Sequence, residues 1–290
     1  MLKHWLQAIR PKTLAASICP VIIGTAMAFG DGVWHWPTAM LCLLGALFIQ
    51  IGTNLANDYF DFKKGADTFE RIGPTRVTQA GLIKPYVVMI GFLTAFLIAG
   101  LICIKLVERG GWPIAVIGIS SIISGIAYTA GRYALGYLGL GELFVLIFFG
   151  PVAVAGTYYV QSLEINLAVI LAGLGPGMIS VGILTINNLR DIETDFKSNK
   201  RTLAVRFGRS FAIQEYLFSI IFAGLTPILL YSIMEDHLPI LATSLILFLA
   251  IPIIITVISK TDGPSLNNAL AQTGKLLFIY TIIFSIAWIL

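Results

Sequence analysis

The stretch Tyr86-Val-Val-Met-Ile-Gly-Phe-Leu-Thr-Ala-Phe-Leu-Ile-Ala-Gly-Leu-Ile-Cys-Ile-Lys105 carries no charge before its last position. As a helix rising 1.5 Å per residue it would be about 30 Å long, the thickness of the hydrocarbon core of a bilayer. Runs of this kind recur near 13–30, 38–57, 112–130, 139–160, 166–186, 211–234, 238–259 and 273–290. Over the 290 residues, 57% are hydrophobic and only 12% are charged, which excludes a soluble globule. The chain reads as all-α: one polytopic membrane domain over 1–290, with nine transmembrane helices around a central cavity and cytoplasmic caps. Pro20, Pro151, Pro176, Pro227 and Pro252 fall inside these spans and mark expected kinks.

The distribution of Lys and Arg tests that count, because a wrong number of spans would scramble the asymmetry between alternate loops. Of 19 such residues, only Lys105 and Arg109 fall on the side opposite the N-terminus, while the rest, Lys260 and Lys275 included, share its side. The N-terminus is therefore expected to be cytoplasmic and the C-terminus external, as in a bacterial inner-membrane protein. The small net charge of +4 reports topology and gives no reason to expect nucleic acid. Lys3, Arg10 and Lys12 before Ala26-Met27-Ala28 also fit a cleavable leader, but the stretch is read as the first span. Cys19, Cys42 and Cys103 lie in apolar runs without metal-ligand or redox spacing.

The polar residues gather in two long connections, 58–85 and 187–210, each beginning where a span runs out. The first reads Asn57-Asp58-Tyr59-Phe60-Asp61 and continues through Asp67 and Arg71 to Arg76; the second reads Asn187-Asn188-Leu189-Arg190-Asp191 and continues through Asp195 to Lys200 and Arg201. Asn57 pairs with Asp61 and Asn187 with Asp191 at the same spacing of four, which stacks side chains on one face if the helices continue. The 130-residue offset suggests a diverged internal repeat with facing halves. Crowded carboxylates need cations, and hard oxygen ligands suit Mg²⁺, which is usually held by a few carboxylates plus substrate phosphates. Arg71, Arg76, Lys200 and Arg201 suit phosphate oxygens. An Mg²⁺-bridged diphosphate is the expected occupant. Asp58, Glu70 and Glu193 lie off the shared register and are expected to be solvated loop charges, with Lys105 and Arg109 as boundary charges.

With these segments, the chain resembles the UbiA superfamily of intramembrane aromatic prenyltransferases, whose signature is two aspartate-rich motifs after the second and sixth helices. The stretches 57–67, 71–79 and 187–195, with Arg10-Pro11-Lys12-Thr13-Leu14 and Gly139-Leu140-Gly141-Glu142, resemble its 1,4-dihydroxy-2-naphthoate branch. The likeness covers about residues 5–210. It implies transfer of a polyprenyl chain from polyprenyl diphosphate to 1,4-dihydroxy-2-naphthoate in the membrane lipid, with loss of CO₂, giving demethylmenaquinol. It also implies two Mg²⁺ ions held by Asn57, Asp61 and Asp67 and by Asp191 and Asp195. Arg132, Lys200 and Arg201 would stabilise the leaving diphosphate, Asn187 and Asn188 would contact substrate, and Arg10 or Lys12 would hold the acceptor carboxylate. The superfamily's third acid position is Gly65 here, with Asp67 the next carboxylate. Its Tyr-x-x-x-Lys element falls on Tyr128 and Arg132, which keeps the charge and excludes proton loss.

Two other readings fit parts of the pattern. One is the same chemistry on another acceptor, such as 4-hydroxybenzoate; the other is a cation-coupled transporter. The absence of acids from the middle of any span argues against the transporter. Reporter fusions test the topology: a reporter after Ala66 or Lys197 is expected to read cytoplasmic and one after Leu290 external, and finding both termini on one side would overturn the count of nine.

Overall fold

A computed structural model describes residues 1–65, 73 and 75–290 of the chain, apart from the side chain of Lys12. Among the described residues every regular element is helical. A short helix α1 (Leu2–Ile9) precedes α2 (Pro11–Gly30), α3 (Trp36–Lys63), α4 (Pro85–Gly110) and α5 (Trp112–Ala127). Then come α6 (Gly141–Phe148), α7 (Pro151–Ser162), α8 (Leu167–Ala172), α9 (Leu174–Arg190) and the short α10 (Ile192–Lys197). Finally α11 (Leu203–Met234), a 3₁₀ stretch Leu238–Leu245, α12 (Ile246–Ser259) and α13 (Gly263–Ile289) close the chain. Helices α6 with α7, and α8 with α9, each make one span; with the 3₁₀ stretch and α12 taken together, eight spans are long and apolar enough to cross a bilayer. Helix α5, of 16 residues, is a shorter apolar ninth, about 24 Å long. The protein is a polytopic membrane protein.

The sequence of α4 shows why these helices need lipid. Val88, Phe92, Ala95, Phe96 and Ala99 are buried against the bundle, while Ile90, Leu93, Leu97, Leu101 and Ile104 point outward, Leu97 being 64% exposed. Both stripes follow the helical period, so the outer one is an apolar surface that only hydrocarbon satisfies. A large core joins α2, α7, α9, α11, α12 and α13, and a second packs α3 and α4 with Trp5 and Val77.

The prolines act unequally. Pro20, Pro227 and Pro252 remain inside their helices, whereas Pro151 begins α7 after a break at Phe149 and Gly150. A further break, with no proline, sits at Gly208 of α11, where φ is +80°. The last span begins ten residues earlier than its apolar run predicts, because Asp262 caps α13 by accepting from the Ser265 amide at 2.9 Å. Lys275 therefore lies on a helix and not in a loop. Glu215 is likewise carried on α11, where its Oε2 lies 3.2 Å from the Thr185 hydroxyl of α9, so the acids are not confined to the loops and span ends. At the far end Arg109 donates to the carbonyls of Val160 and Gln161, both at 2.8 Å, capping α7; it is more than a boundary charge.

Close backbone approach fixes the α6–α7 elbow against the start of α9. A Cβ on Gly173 would lie 2.6 Å from the backbone nitrogen of Pro151, and one on Gly150 would overlap the Leu146 carbonyl oxygen. Backbone cannot yield as a side chain can, so Gly173→Ala is expected to cost about 1–3 kcal/mol. Gly100, whose Cβ would meet nothing within 4 Å, is the control. Thermal unfolding in detergent checks the pair: equal midpoints for the two Ala variants would remove the packing argument.

Candidate active site

Helix α3 continues through the first motif, so Asn54, Asn57, Asp58 and Asp61 occupy its final turns. Asn54 donates to the Ile9 carbonyl at 2.7 Å and to Thr13 Oγ1 at 2.9 Å, tying down the elbow between α1 and α2, where Arg10 has φ +55°. The Asn57 carbonyl oxygen accepts from the Thr129 hydroxyl. Asp58 is buried, and its two oxygens accept the amides of Val77 at 3.2 Å and Thr78 at 3.1 Å. It is not a solvated loop charge: it pins the turn that delivers Arg76. Arg76 in turn donates to Asp61 Oδ2 at 3.1 Å, and the Tyr137 hydroxyl donates to Asp61 Oδ1 at 2.9 Å. Lys64 Nζ lies 4.1 Å from the centre of the Tyr137 ring. Partial burial pushes the Lys64 ammonium below its ordinary value, and the Asp61 charge opposes that shift.

The second motif sits where α9 ends. Arg190, buried to 6%, forks onto Asp191 with Nε to Oδ1 at 2.7 Å and Nη2 to Oδ2 at 2.5 Å. The same guanidinium donates to Asn187 Oδ1 at 2.9 Å and, from Nη1, to Asn267 Oδ1 on α13 at 2.6 Å. Asn188 donates to Glu142 at 2.8 Å, and Asp195 receives Lys200 Nζ at 3.3 Å.

The two motifs face one cavity of about 970 Å³. Asn57, Asp61, Asn187, Asn188, Asp191, Arg10, Arg76, Lys200 and Tyr128 all line it. From Asp61 the wall follows α3 back to Cys42, about 28 Å at the helical rise, past Ile49, Ile102, Leu106 and Phe148. The Tyr128 ring lines the cavity near its charged end, packed against Gly136 and Gly141.

Three sequence assignments are placed elsewhere. Arg132 is exposed and off the cavity wall, its Cζ 5.7 Å from the Tyr133 ring centre. The spacing of four from Tyr128 would align the two only on a continuing helix, whereas α5 stops at Ala127 and Gly131 turns the chain at φ +78°. Arg201 is exposed in a separate basic cleft with Lys200 and Arg206. Asp195 is buried behind the wall beside Lys200, not on it. Glu193 is exposed, as expected, although it is carried in the first turn of α10 and not in a loop. Asp67, Glu70 and Arg71, and the Lys12 side chain, lie outside the described residues. Conversely, Arg190, Tyr137 and Asn267 line the cavity without having been assigned to it. In the sequence Arg190 is one of the charges that report topology, and its position beside a motif aspartate is a usable signal for this role.

The donor set suits a hard divalent ion. Among the described residues no three His, Cys, Asp or Glu side chains cluster. Asp61, Asp191 and the amide oxygens are oxygen donors only, and each carboxylate has lone pairs beyond those its arginine uses. One or two carboxylates completed by phosphate oxygens and water is the arrangement Mg²⁺ prefers.

The model of the UbiA prenyltransferase family matches residues 17–284. The chain belongs to the UbiA prenyltransferase family. It is 41% identical over 221 residues to a 1,4-dihydroxy-2-naphthoate octaprenyltransferase of Haemophilus influenzae, covering 71% of this chain and 70% of the relative. A protein of the same name from Mycobacterium leprae is 36% identical over 283 residues, covering 96% and 94%. A UbiA homolog from Archaeoglobus fulgidus, solved bound to DMAPP and Mg²⁺, shares the fold at a TM-score of 0.71 and 16% identity over 98% of both chains. The two facing motifs of this chain are thus set in a UbiA fold.

Removing the Asp58 carboxylate strands two buried amides, at about 1–3 kcal/mol each. Asp58→Ala is therefore expected to lower the unfolding midpoint in detergent by several degrees, with Asp58→Asn recovering part of the loss. An Asp58→Ala midpoint equal to that of the unmutated chain would show that the turn is held by something else.

Proposed function

We propose that the chain, acting over 1–290 as one transmembrane prenyltransferase domain, transfers a polyprenyl group from polyprenyl diphosphate to 1,4-dihydroxy-2-naphthoate with loss of CO₂, giving demethylmenaquinol. The observation that carries the reading is the cavity itself, which runs about 28 Å along α3: its charged, oxygen-rich end holds Asp61, Asn57, Asn54 and Gln50, and its far end is an apolar wall that includes Ile49, Ala46, Ile102, Leu106 and Phe148. That wall matches a polyprenyl tail, and the charged end matches its diphosphate. The names of the relatives point to the naphthoate.

The residues then divide by chemistry. Asn57, Asp61 and Asp191 would hold Mg²⁺, with Asp195 supporting from behind the wall; Asp67 is kept as a ligand on the sequence pattern alone. When bound, the metal supplies positive charge that neutralises the diphosphate and favours its departure. Arg76, Arg190 and Lys200 face the same charge, and Asn187 and Asn188 contact the diphosphate region. Arg10, at the cavity mouth, is assigned to the acceptor carboxylate, with Lys12 beside it in sequence. The C–O bond to the tail breaks and diphosphate leaves with its electron pair. The ring carbon bearing the carboxylate attacks the allylic carbon, and release of CO₂ returns the C–C electron pair to the ring, so no external base is required. The apolar walls keep water from the cation, with Tyr128 among the residues that line the cavity. Arg132 and Arg201 have no part in this scheme. The charge asymmetry supports a bacterial inner-membrane protein with its motifs cytoplasmic.

Purified protein given Mg²⁺, a polyprenyl diphosphate and 1,4-dihydroxy-2-naphthoate is expected to yield the prenylated, decarboxylated product by mass, and chelation should abolish it. Asp191→Ala should lower the rate about 100-fold or more, about 2.7 kcal/mol of barrier. Efficient prenylation of 4-hydroxybenzoate with none of the naphthoate would overturn the acceptor. Tight cation flux in vesicles without any transfer would favour a transporter.

A further inference from the structure

Glu142 is buried to 7% in the first turn of α6, yet it does not line the cavity. Its Oε1 accepts from Asn188 Nδ2 at 2.8 Å across 46 residues of sequence. Burying a carboxylate is costly unless it is hydrogen-bonded, and the N-terminal turn of a helix offsets part of that cost. Asn188 Nδ2 is the donor in this hydrogen bond, so the group Asn188 turns toward Glu142 is its NH₂. The carbonyl oxygen of Asn188 then faces the other way, and Asn188 lines the cavity three residues before Asp191, on the same helical face. Its neighbour Asn187 is oriented oppositely, because its own oxygen accepts from Arg190 at 2.9 Å. The Asn187-Asn188 tandem thus presents an NH₂ from one residue and an oxygen from the other.

We propose that Glu142 is a positioning residue that holds the Asn188 carbonyl oxygen toward the cavity as an added oxygen ligand for the divalent cation beside Asp191. The proposal rests on the metal-diphosphate reading above and assigns a purpose to a buried acid that the transfer chemistry does not otherwise use. A partner behind a ligand fixes its orientation, and losing such a partner typically costs 10–100-fold in metal affinity.

The test uses the full chain in detergent, with Mn²⁺ binding in the presence of inorganic diphosphate followed by electron paramagnetic resonance. Glu142→Ala and Asn188→Ala are each expected to weaken Mn²⁺ binding about tenfold, whereas Glu142→Gln, whose amide oxygen still accepts from Asn188, should bind nearly as the unmutated chain does. The pair Glu142→Gln with Asn188→Asp should likewise retain binding, because the amide introduced at position 142 donates to one carboxylate oxygen and leaves the other for the cation. Loss of packing alone would lower the unfolding midpoint without this pattern of loss and retention. Mn²⁺ affinity unchanged in Glu142→Ala, with Asp191→Ala weakened, overturns the role of Glu142 while leaving the site reading intact. If Asp191→Ala also binds Mn²⁺ normally, the site reading falls and the proposal with it. Should Glu142→Ala not be recovered folded, Glu142→Leu, which keeps the side-chain bulk without an acceptor, decides by the same criterion.

Discussion

Carboxylates at the mouth of an apolar cavity inside a membrane protein persist only if their charge is matched nearby, since an unpaired buried ion costs several kcal/mol. Both motif aspartates meet this constraint with an arginine. Asp61 is paired with Arg76 and Asp191 with Arg190, each within hydrogen-bond distance. Much of the local architecture serves these two pairs. The Asp58 contacts to Val77 and Thr78 exist where they do because Arg76 must be presented to α3. The early start of α13, projecting Asn267 beyond the apolar run, gives Arg190 a third partner. A cation and a diphosphate entering this end would find charges already balanced and oriented, which lowers the reorganisation that binding requires.

The same constraint separates the ends of the cavity. Polar groups that need partners gather in the last turns of α3 and α9, while the wall toward Cys42 is built from aliphatic and aromatic side chains together with small residues. Small residues set its shape: a Cβ on Gly118 would overlap Cys103 Sγ, and one on Gly125 would overlap Thr53 Oγ1, so α5 approaches its neighbours closely. A short α5 fits this role, since it lines the cavity as well as crossing the bundle.

Composition and the spacing of apolar runs were enough to determine a polytopic helical protein, because a hydrocarbon environment leaves the backbone few options and imprints its thickness on run length. The two asparagine-aspartate pairs were equally legible, since a helix carried to its end stacks residues four apart whatever surrounds it. Local reasoning failed where the helix did not continue. Arg132 left the register of Tyr128 at the Gly131 turn, and Asp58 looked off-register although its partners lie 19 and 20 residues away. What only the tertiary structure decided is which distant groups complete the site: Tyr137 reaches Asp61 across 76 residues, Asn267 reaches Arg190 across 77, and Glu142 reaches Asn188 across 46. Those meetings are set by how helices cross in the bundle, and a single polar residue on each helix carries no periodic signal of the partner it will find.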